Sequence, residues 1–567
     1  IVFLGLLPIL VLIGVVVVIV RLASGRGQAT GESAGIAVRR IFQYLLMLLT
    51  LVFSCVGLTG LLSEAALSSE QITRDTGSVA RSISFLVVGV PAFIALALYT
   101  RRRMRDDAAE VRSAGWAIYL TLVLFGSLVT TVGLLIALFG GLFVGDGLDA
   151  TVLVNMVVWG AVWVAHWWIA TREDYAPDLW FEHILGSFVG LSTMVVGAAV
   201  VAGSVLLEAY DAVFGIPGVE PSADQIVVPL VAAAVGAVVW SWYWLLIALH
   251  DERTVLWNAY VLLAGVLSGV VMVAAGAGIT IFRVLEWFVV GPARSAAEHF
   301  EILAVAVAVA AVGSATWAYH RVVLDTGPER ERTVVDRIYD YLLAGAGLAV
   351  AGGGITTLIA YALAAITGTE ITGSDRDAIV LALTLIAVGG TLWGIYWARA
   401  QREHRRHGSN EAQSTTRRIY LFVVLGISGV VALVSLVVLV YLLIRALLDG
   451  TVGAAMLNDM AVSIAFLATA GAIAWYHFAV VRHDRADAPE RVQPTVREVI
   501  LVAADGGELA EAVGEADIRV RTFPAAGPAV EAASIDDVLA VLGGETHTHV
   551  MVVQRADGGG FEVIPLD

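Results

Sequence analysis

The chain contains a long uncharged stretch, residues 113–145, which reads SAGWAIYLTLVLFGSLVTTVGLLIALFGGLFVG between Arg112 and Asp146. An α-helix needs roughly 20 apolar residues to cross a bilayer, where its backbone groups must find their hydrogen bonds inside the segment. This stretch is longer than that minimum. It therefore predicts a transmembrane helix that tilts or projects beyond the hydrocarbon.

The rest of the composition agrees with a membrane location. Apolar residues make up 59% of the chain and charged residues 15%, and the mean hydropathy is +0.84, which excludes an ordinary soluble protein. The formal charge is −16, and all 34 basic residues other than histidine are arginines. This acidic balance excludes a basic protein that binds nucleic acid.

Twelve further apolar runs are also long enough to span a bilayer. The earliest of them has no basic residues before it and is followed by Arg21 and Arg26, which favours a retained membrane helix over a cleaved signal peptide. The thirteen predicted spans are about 2–20, 41–63, 83–100, 113–142, 151–170, 184–207, 226–249, 255–282, 302–320, 338–366, 378–398, 419–444 and 459–481.

Arginine placement predicts the orientation of these helices. Twenty-one arginines lie in one set of alternating connections, and six lie in the other set, among acidic residues. Short loops rich in arginine stay in the cytoplasm. The protein is predicted to lie in a bacterial inner membrane. With thirteen spans, its N-terminus is outside and its C-terminus is in the cytoplasm.

A motif of tryptophan followed three residues later by histidine or tyrosine recurs along the chain. The steps between the histidine or tyrosine positions are 77, 77, 76 and 81 residues, a regularity typical of an internal repeat. The last copy has Ala474 in place of the tryptophan. The motif ends alternate helices at Trp163-x-x-His166, Trp240-x-x-Tyr243, Trp317-x-x-His320, Trp393-x-x-Tyr396 and Ala474-x-x-His477.

The other helix of each unit tends to open with arginine and an aromatic residue, as in Arg337-Ile338-Tyr339. It then continues into apolar sequence rich in glycine, where small residues let helix backbones approach closely. We therefore predict an all-α polytopic domain over residues 38–484, preceded by a helix and linker in 1–37. Its six parallel two-helix hairpins are predicted at about 38–110, 111–178, 179–253, 254–336, 337–416 and 417–484.

The Arg-Arg-Ile-Tyr openings and the Trp-x-x-His closings resemble bacterial multi-pass membrane proteins with tandem repeats of domain of unknown function 5671. The resemblance covers about residues 38–484. It implies a helical-hairpin fold and a membrane location, and it supplies no reaction.

His166, His320 and His477 occupy equivalent places near the predicted cytoplasmic ends of their helices. Neutral imidazole can ligate haem iron, so these three are candidate cofactor-binding residues for a haem or a quinone site. Tyr243 and Tyr396 hold the same place in other units, which favours an interfacial aromatic belt or a packing role. We therefore predict no bound cofactor.

The composition changes after a linker at residues 485–497, and residues 498–567 predict a small cytoplasmic α+β domain. Its strands are expected at 498–503, 517–523, 548–554 and 561–565, and its helices at 507–514 and 534–542. His547 and His549 lie on one face of a strand without an obvious third ligand. No metal site is predicted, and an interaction or regulatory role is favoured for this domain.

Ionisable side chains deep in the bilayer mark pathways for ions and protons, and the predicted spans contain few. Enzymatic activity has no group of residues behind it, so the chain is predicted not to be an enzyme. The favoured function is a helical scaffold or accessory subunit that contacts lipids and either self-associates or binds other membrane proteins. A transporter or channel between the hairpins remains open, as does a haem- or quinone-binding redox subunit.

Overall fold

The computed structural model describes residues 34–67, 76–107, 109–172, 180–216, 223–291, 294–325, 334–368, 373–407, 414–486, 496–503, 519–524, 542, 547–554 and 561–566. Within these ranges, 12 helices are long and apolar enough to cross a membrane. The chain is therefore a mostly helical, multi-pass membrane protein. The span predicted at 2–20 lies outside the described residues, as do both helices predicted in the tail except for Leu542.

The twelve long helices are numbered in chain order, and three of them are composite. Helix α6 continues into a π-helical segment, α7 contains a second π-helical segment, and α8 begins with one short turn. The helices are α1 Ala34–Leu67, α2 Thr76–Asp106, α3 Ala114–Val144, α4 Ala150–Ala170, α5 Trp180–Phe214, α6 Ala223–Trp240 with Ser241–Ala248, α7 Val255–Ala259 with Tyr260–Leu267 and Ser268–Val289, α8 Ala296–Phe300 with Ile302–Asp325, α9 Val334–Ile366, α10 Gly373–His407, α11 Thr415–Leu448 and α12 Ala454–Ala486.

Short polar side chains fix where several helices begin. The Ser113 hydroxyl accepts a hydrogen bond from the Trp116 amide (3.3 Å) at the start of α3, and Thr254 accepts from the Trp257 amide (3.2 Å) at the start of α7. Asp149 caps α4 in the same way. Each cap satisfies amide groups that have no partner within the first turn of the helix.

Consecutive helices pack as antiparallel pairs through glycines. In α5, Gly190 lies against the backbone of Trp240, and Gly197 lies against the backbone of Ala233, so the two chains run in opposite directions. Gly347 of α9 approaches the backbone of α10 equally closely. The absence of a side chain at these positions lets the helix backbones meet.

Neighbouring pairs are joined by one recurring contact. Helix α1 packs against α4, α3 against α6, and α5 against α8. Further along the chain, Gly278 of α7 faces Thr384 of α10, and Gly352 of α9 faces Ile473 of α12. At all five junctions, the first helix of one pair packs against the second helix of the next pair.

The described part of the tail contains a four-stranded sheet in the order β2-β1-β3-β4. Strand β1 is parallel to both β2 and β3, and β4 is antiparallel to β3. The first and last strands coincide with the predicted bounds, and the other two begin within two residues of them. The strands are β1 Glu498–Ala503, β2 Arg519–Pro524, β3 His549–Gln554 and β4 Phe561–Pro565.

Candidate functional site

A buried carboxyl group, Glu182, lies in the first turn of α5 where α4, α5 and α6 meet. Its Oε1 accepts a 2.7 Å hydrogen bond from the Tyr243 hydroxyl, and Trp163 Nε1 donates to the oxygen of the same hydroxyl at 3.1 Å. Glu182 and Tyr243 are each 1% exposed. The result is a hydrogen-bonded chain of three side chains contributed by three helices, in which Glu182 and Tyr243 are sealed from solvent and Trp163 is half-buried.

The second carboxyl oxygen of Glu182 is buried and has no hydrogen-bond partner among the described residues. A buried polar atom without a partner costs free energy, so this second oxygen opposes the stabilisation that the first oxygen provides. The neighbouring His183 Nδ1 lies 2.9 Å from Asp251 Oδ2, and the Trp167 ring packs edge-on against Tyr243. We define Trp163, Trp167, Glu182, His183 and Tyr243 as the Glu182 cluster.

The backbone around this cluster departs from regular α-helix. Ser241–Ala248 and Tyr260–Leu267 are both π-helical, and π-helical turns occur often at functional sites. The two segments meet through Trp244 and Tyr260, whose ring centroids are 4.7 Å apart. The first segment also carries Tyr243, so the unusual backbone positions the hydroxyl that binds Glu182.

His320 lies against the same pair of π-helical segments. The ring is 1% exposed and contacts Trp240, Trp244, Tyr260 and Tyr319. Its Nδ1 donates to the Thr316 carbonyl at 2.9 Å, which makes Nε2 the acceptor in a neutral imidazole. That buried Nε2 has no hydrogen-bond partner in the described part of the chain.

The other two histidines predicted from the sequence lie in other helix pairs. His166 Nδ1 donates to the Val162 carbonyl at 2.8 Å, and its Nε2 lies 3.1 Å from the Tyr119 hydroxyl. His477 Nε2 lies 3.5 Å from the Tyr420 hydroxyl. Of the three, His320 is the histidine whose Nε2 is buried without a hydrogen bond among the described residues.

Buried ion pairs join the beginning and the end of several helix pairs. Glu110, which is 1% exposed, accepts from Arg39 Nη2 at 3.1 Å, Arg40 Nε at 3.0 Å and the Tyr44 hydroxyl at 3.1 Å. In the last pair, Arg417 Nε lies 2.6 Å from Asp484. These contacts hold the helix ends together.

The described residues contain no group of three or more histidine, cysteine or acidic side chains that could hold a metal ion. His549, at the start of β3, lies 3.9 Å from Glu498. Cys55 is buried in α1.

Sequence reasoning missed the Glu182 cluster. An acidic residue in the first turn of a predicted helix is typical of favourable helix-dipole interactions and gives no sign of burial. The available signal was the run Trp180-Phe181-Glu182-His183, in which a carboxyl group stands among aromatic residues. Its partner Tyr243 was identified as a repeat position, but the hydrogen bond between them depends on the packing of α5 against α6.

The Tyr243 hydroxyl offers a direct test of the cluster. We expect Tyr243→Phe to destabilise the protein by about 1–3 kcal/mol, because it leaves Glu182 and Trp163 without their buried partner. Tyr476→Phe is the matched control, since Tyr476 is 40% exposed. Unfolding in mild detergent, followed by tryptophan fluorescence, measures both variants, and equal stability of the two would contradict the structural importance of the bond.

Two stretches of the chain, residues 40–155 and 337–472, match a family model described as domain of unknown function (DUF5671). The match confirms the predicted resemblance to tandem copies of this domain. No curated protein and no solved structure matches the chain. Glu182, Tyr243, His320 and both π-helical segments lie between the two matched stretches.

Proposed function

We propose that this protein with tandem DUF5671 domains is a non-enzymatic membrane scaffold or accessory subunit, which self-associates or binds other membrane proteins. The recurring junction between helix pairs carries the proposal, because one contact is repeated five times along the chain. Stacked repeats build extended surfaces that are commonly used for binding. In this proposal, the extended surface built by the stacked helix pairs binds the partner proteins.

The buried polar contacts support the same proposal. Glu110 binds Arg39, Arg40 and Tyr44, and Tyr243 binds Glu182, so these ionisable groups stabilise helix contacts within the chain. Broad apolar faces of the helices are exposed in turn, and these faces suit lipids and neighbouring membrane proteins.

The proposed topology keeps the sequence-based orientation. It has thirteen helices, including one at residues 2–20, and six parallel hairpins in a bacterial inner membrane. The N-terminus lies outside, and the tail domain lies in the cytoplasm. Arginine asymmetry between alternate connections supports this arrangement. In this arrangement the sheet of residues 498–565 is presented to cytoplasmic partners.

Native mass spectrometry and absorption spectroscopy of protein purified in mild detergent test the proposal. We expect oligomers or stable complexes with other membrane proteins, with no absorption from a chromophore. A monomer that conducts ions or substrate in proteoliposomes would favour the transporter alternative instead. A Soret band that is lost in His320→Ala but kept in His166→Ala would favour a haem-binding redox subunit.

A further inference from the structure

Helix α11 is much less covered by the rest of the chain than the other helices that begin a pair. Within the most apolar 18 residues of each helix, between 33% and 44% are buried in α1, α3, α5, α7 and α9, whereas 17% are buried in α11. The five well-covered helices each pack against the second helix of the following pair. Helix α11 begins the last pair among the described residues, so no following pair is there to cover it.

Helix α3 shows what covers this face elsewhere in the chain. Tyr119 of α3 and Tyr420 of α11 make the same contact with a histidine on their partner helix. Thirteen residues after each tyrosine stand Val132 and Leu433. Val132 is buried in a cluster with Val235 of α6, whereas Leu433 is 62% exposed. The exposed face of α11 therefore corresponds to a face of α3 that α6 covers.

The exposed face of α11 has the side-chain pattern of a helix–helix contact. Large apolar residues recur along it at alternating steps of three and four, the spacing that keeps one stripe facing a partner helix. Most are β-branched and so lose little side-chain freedom when they pack. The stripe consists of Val423, Ile427, Val430, Val434, Val437, Tyr441, Ile444 and Leu448, and Leu433 lies at its edge, four residues before Val437.

Helix α2 is the counterpart of α6 in the first pair. Gly236 of α6 lies against the backbone of α5, and Gly89 of α2 lies against the backbone of α1 in the same way. The residues just before these glycines are Val235, which belongs to the same apolar cluster as Val132 of α3, and Val88, which is 63% exposed. The outer face of α2 thus matches the surface that α6 offers to α3.

We propose that the exposed face of α11 binds α2 of a second copy of the chain, which continues between chains the junction seen five times within one. This inference rests on the self-association in the proposed function and specifies its geometry. The contact is heterologous, because different faces of the two copies meet. Such contacts give closed rings or open rows of subunits.

Site-directed cross-linking in membranes tests this contact. Cys55 is the single cysteine of the chain and is 5% exposed, so a Cys55→Ser background leaves only introduced thiols. Val88→Cys and Leu433→Cys are introduced into separately tagged copies that are expressed together and then oxidised. We expect a covalent dimer that carries both tags, and no covalent dimer from either variant alone.

Val238→Cys is the matched control for Val88→Cys, because Val238 is also apolar, on the second helix of a pair and 71% exposed. It is expected not to cross-link to Leu433→Cys. Three results would overturn the inference. Dimers from Leu433→Cys alone would mean that α11 meets α11, and an intrachain link from Leu433→Cys to Val16→Cys would mean that the span predicted at 2–20 covers this face. The third is the absence of any link although oligomers persist. The last result would leave the scaffold proposal intact, whereas a monomer in native mass spectrometry would overturn both.

Discussion

Replacing Gly347 with leucine is expected to separate α9 from α10 and to prevent stable folding of this pair. A Cβ atom at Gly347 would lie 2.5 Å from the Trp393 amide nitrogen and 2.8 Å from the Gly389 carbonyl oxygen. Both are backbone atoms, which cannot rotate away as a side chain can. Overpacking usually costs about 1–3 kcal/mol, which we expect for Gly347→Ala, and Gly347→Leu is expected to exceed about 3 kcal/mol.

Gly353 of the same helix is the matched control, since nothing lies within 4 Å of a Cβ atom placed there. Gly353→Ala and Gly353→Leu are expected to leave the melting midpoint in detergent unchanged or to raise it, because both residues favour helix more than glycine does. If Gly347→Leu melts together with Gly353→Leu, the close approach of α9 and α10 is not what stabilises the pair.

Much of the helical architecture could be predicted from the sequence. Uninterrupted apolar runs define spanning helices by length alone, and the stretch from Arg112 to Asp146 became α3. The regular spacing of Tyr243, His320 and Tyr396 also predicted which helices are alike. The junctions between pairs were beyond prediction, because contacts such as Gly278 with Thr384 depend on rotations of apolar helices that carry no polar face.

The candidate site was predicted only in part. His320 was selected from its place in the repeat, but the sequence did not show that its Nε2 is buried without a partner whereas His166 is bonded at both nitrogens. Glu182 was missed because burial follows from the meeting of three helices. The π-helical segments were missed as well, since an apolar run has the same hydrophobic pattern in either helix type.

Removal of the Glu110 carboxylate is expected to have the largest effect of a single substitution on the first two helix pairs. Arg40 is 6% exposed, and in Glu110→Ala it would lose the acceptor that lies 3.0 Å from its Nε. Asp107, which lies 3.7 Å from Arg40, is half exposed and is a weaker partner than Glu110. Breaking a buried ion pair by removing one partner costs about 3–5 kcal/mol, because the other charge stays buried.

An exposed pair in α11 separates this cost from the loss of a surface charge. Arg445 and Asp449 lie 3.6 Å apart with side chains that are 64% and 57% exposed, and Asp449→Ala is expected to cost less than about 1 kcal/mol. The double variant Arg40→Ala/Glu110→Ala tests the cause, since removal of both partners leaves less uncompensated charge than removal of Glu110 alone. Unfolding in detergent should therefore show a cost below the sum of the two single variants. Additive costs would mean that Glu110 stabilises these helices through Arg39 and Tyr44, without a significant contribution from its pairing with Arg40.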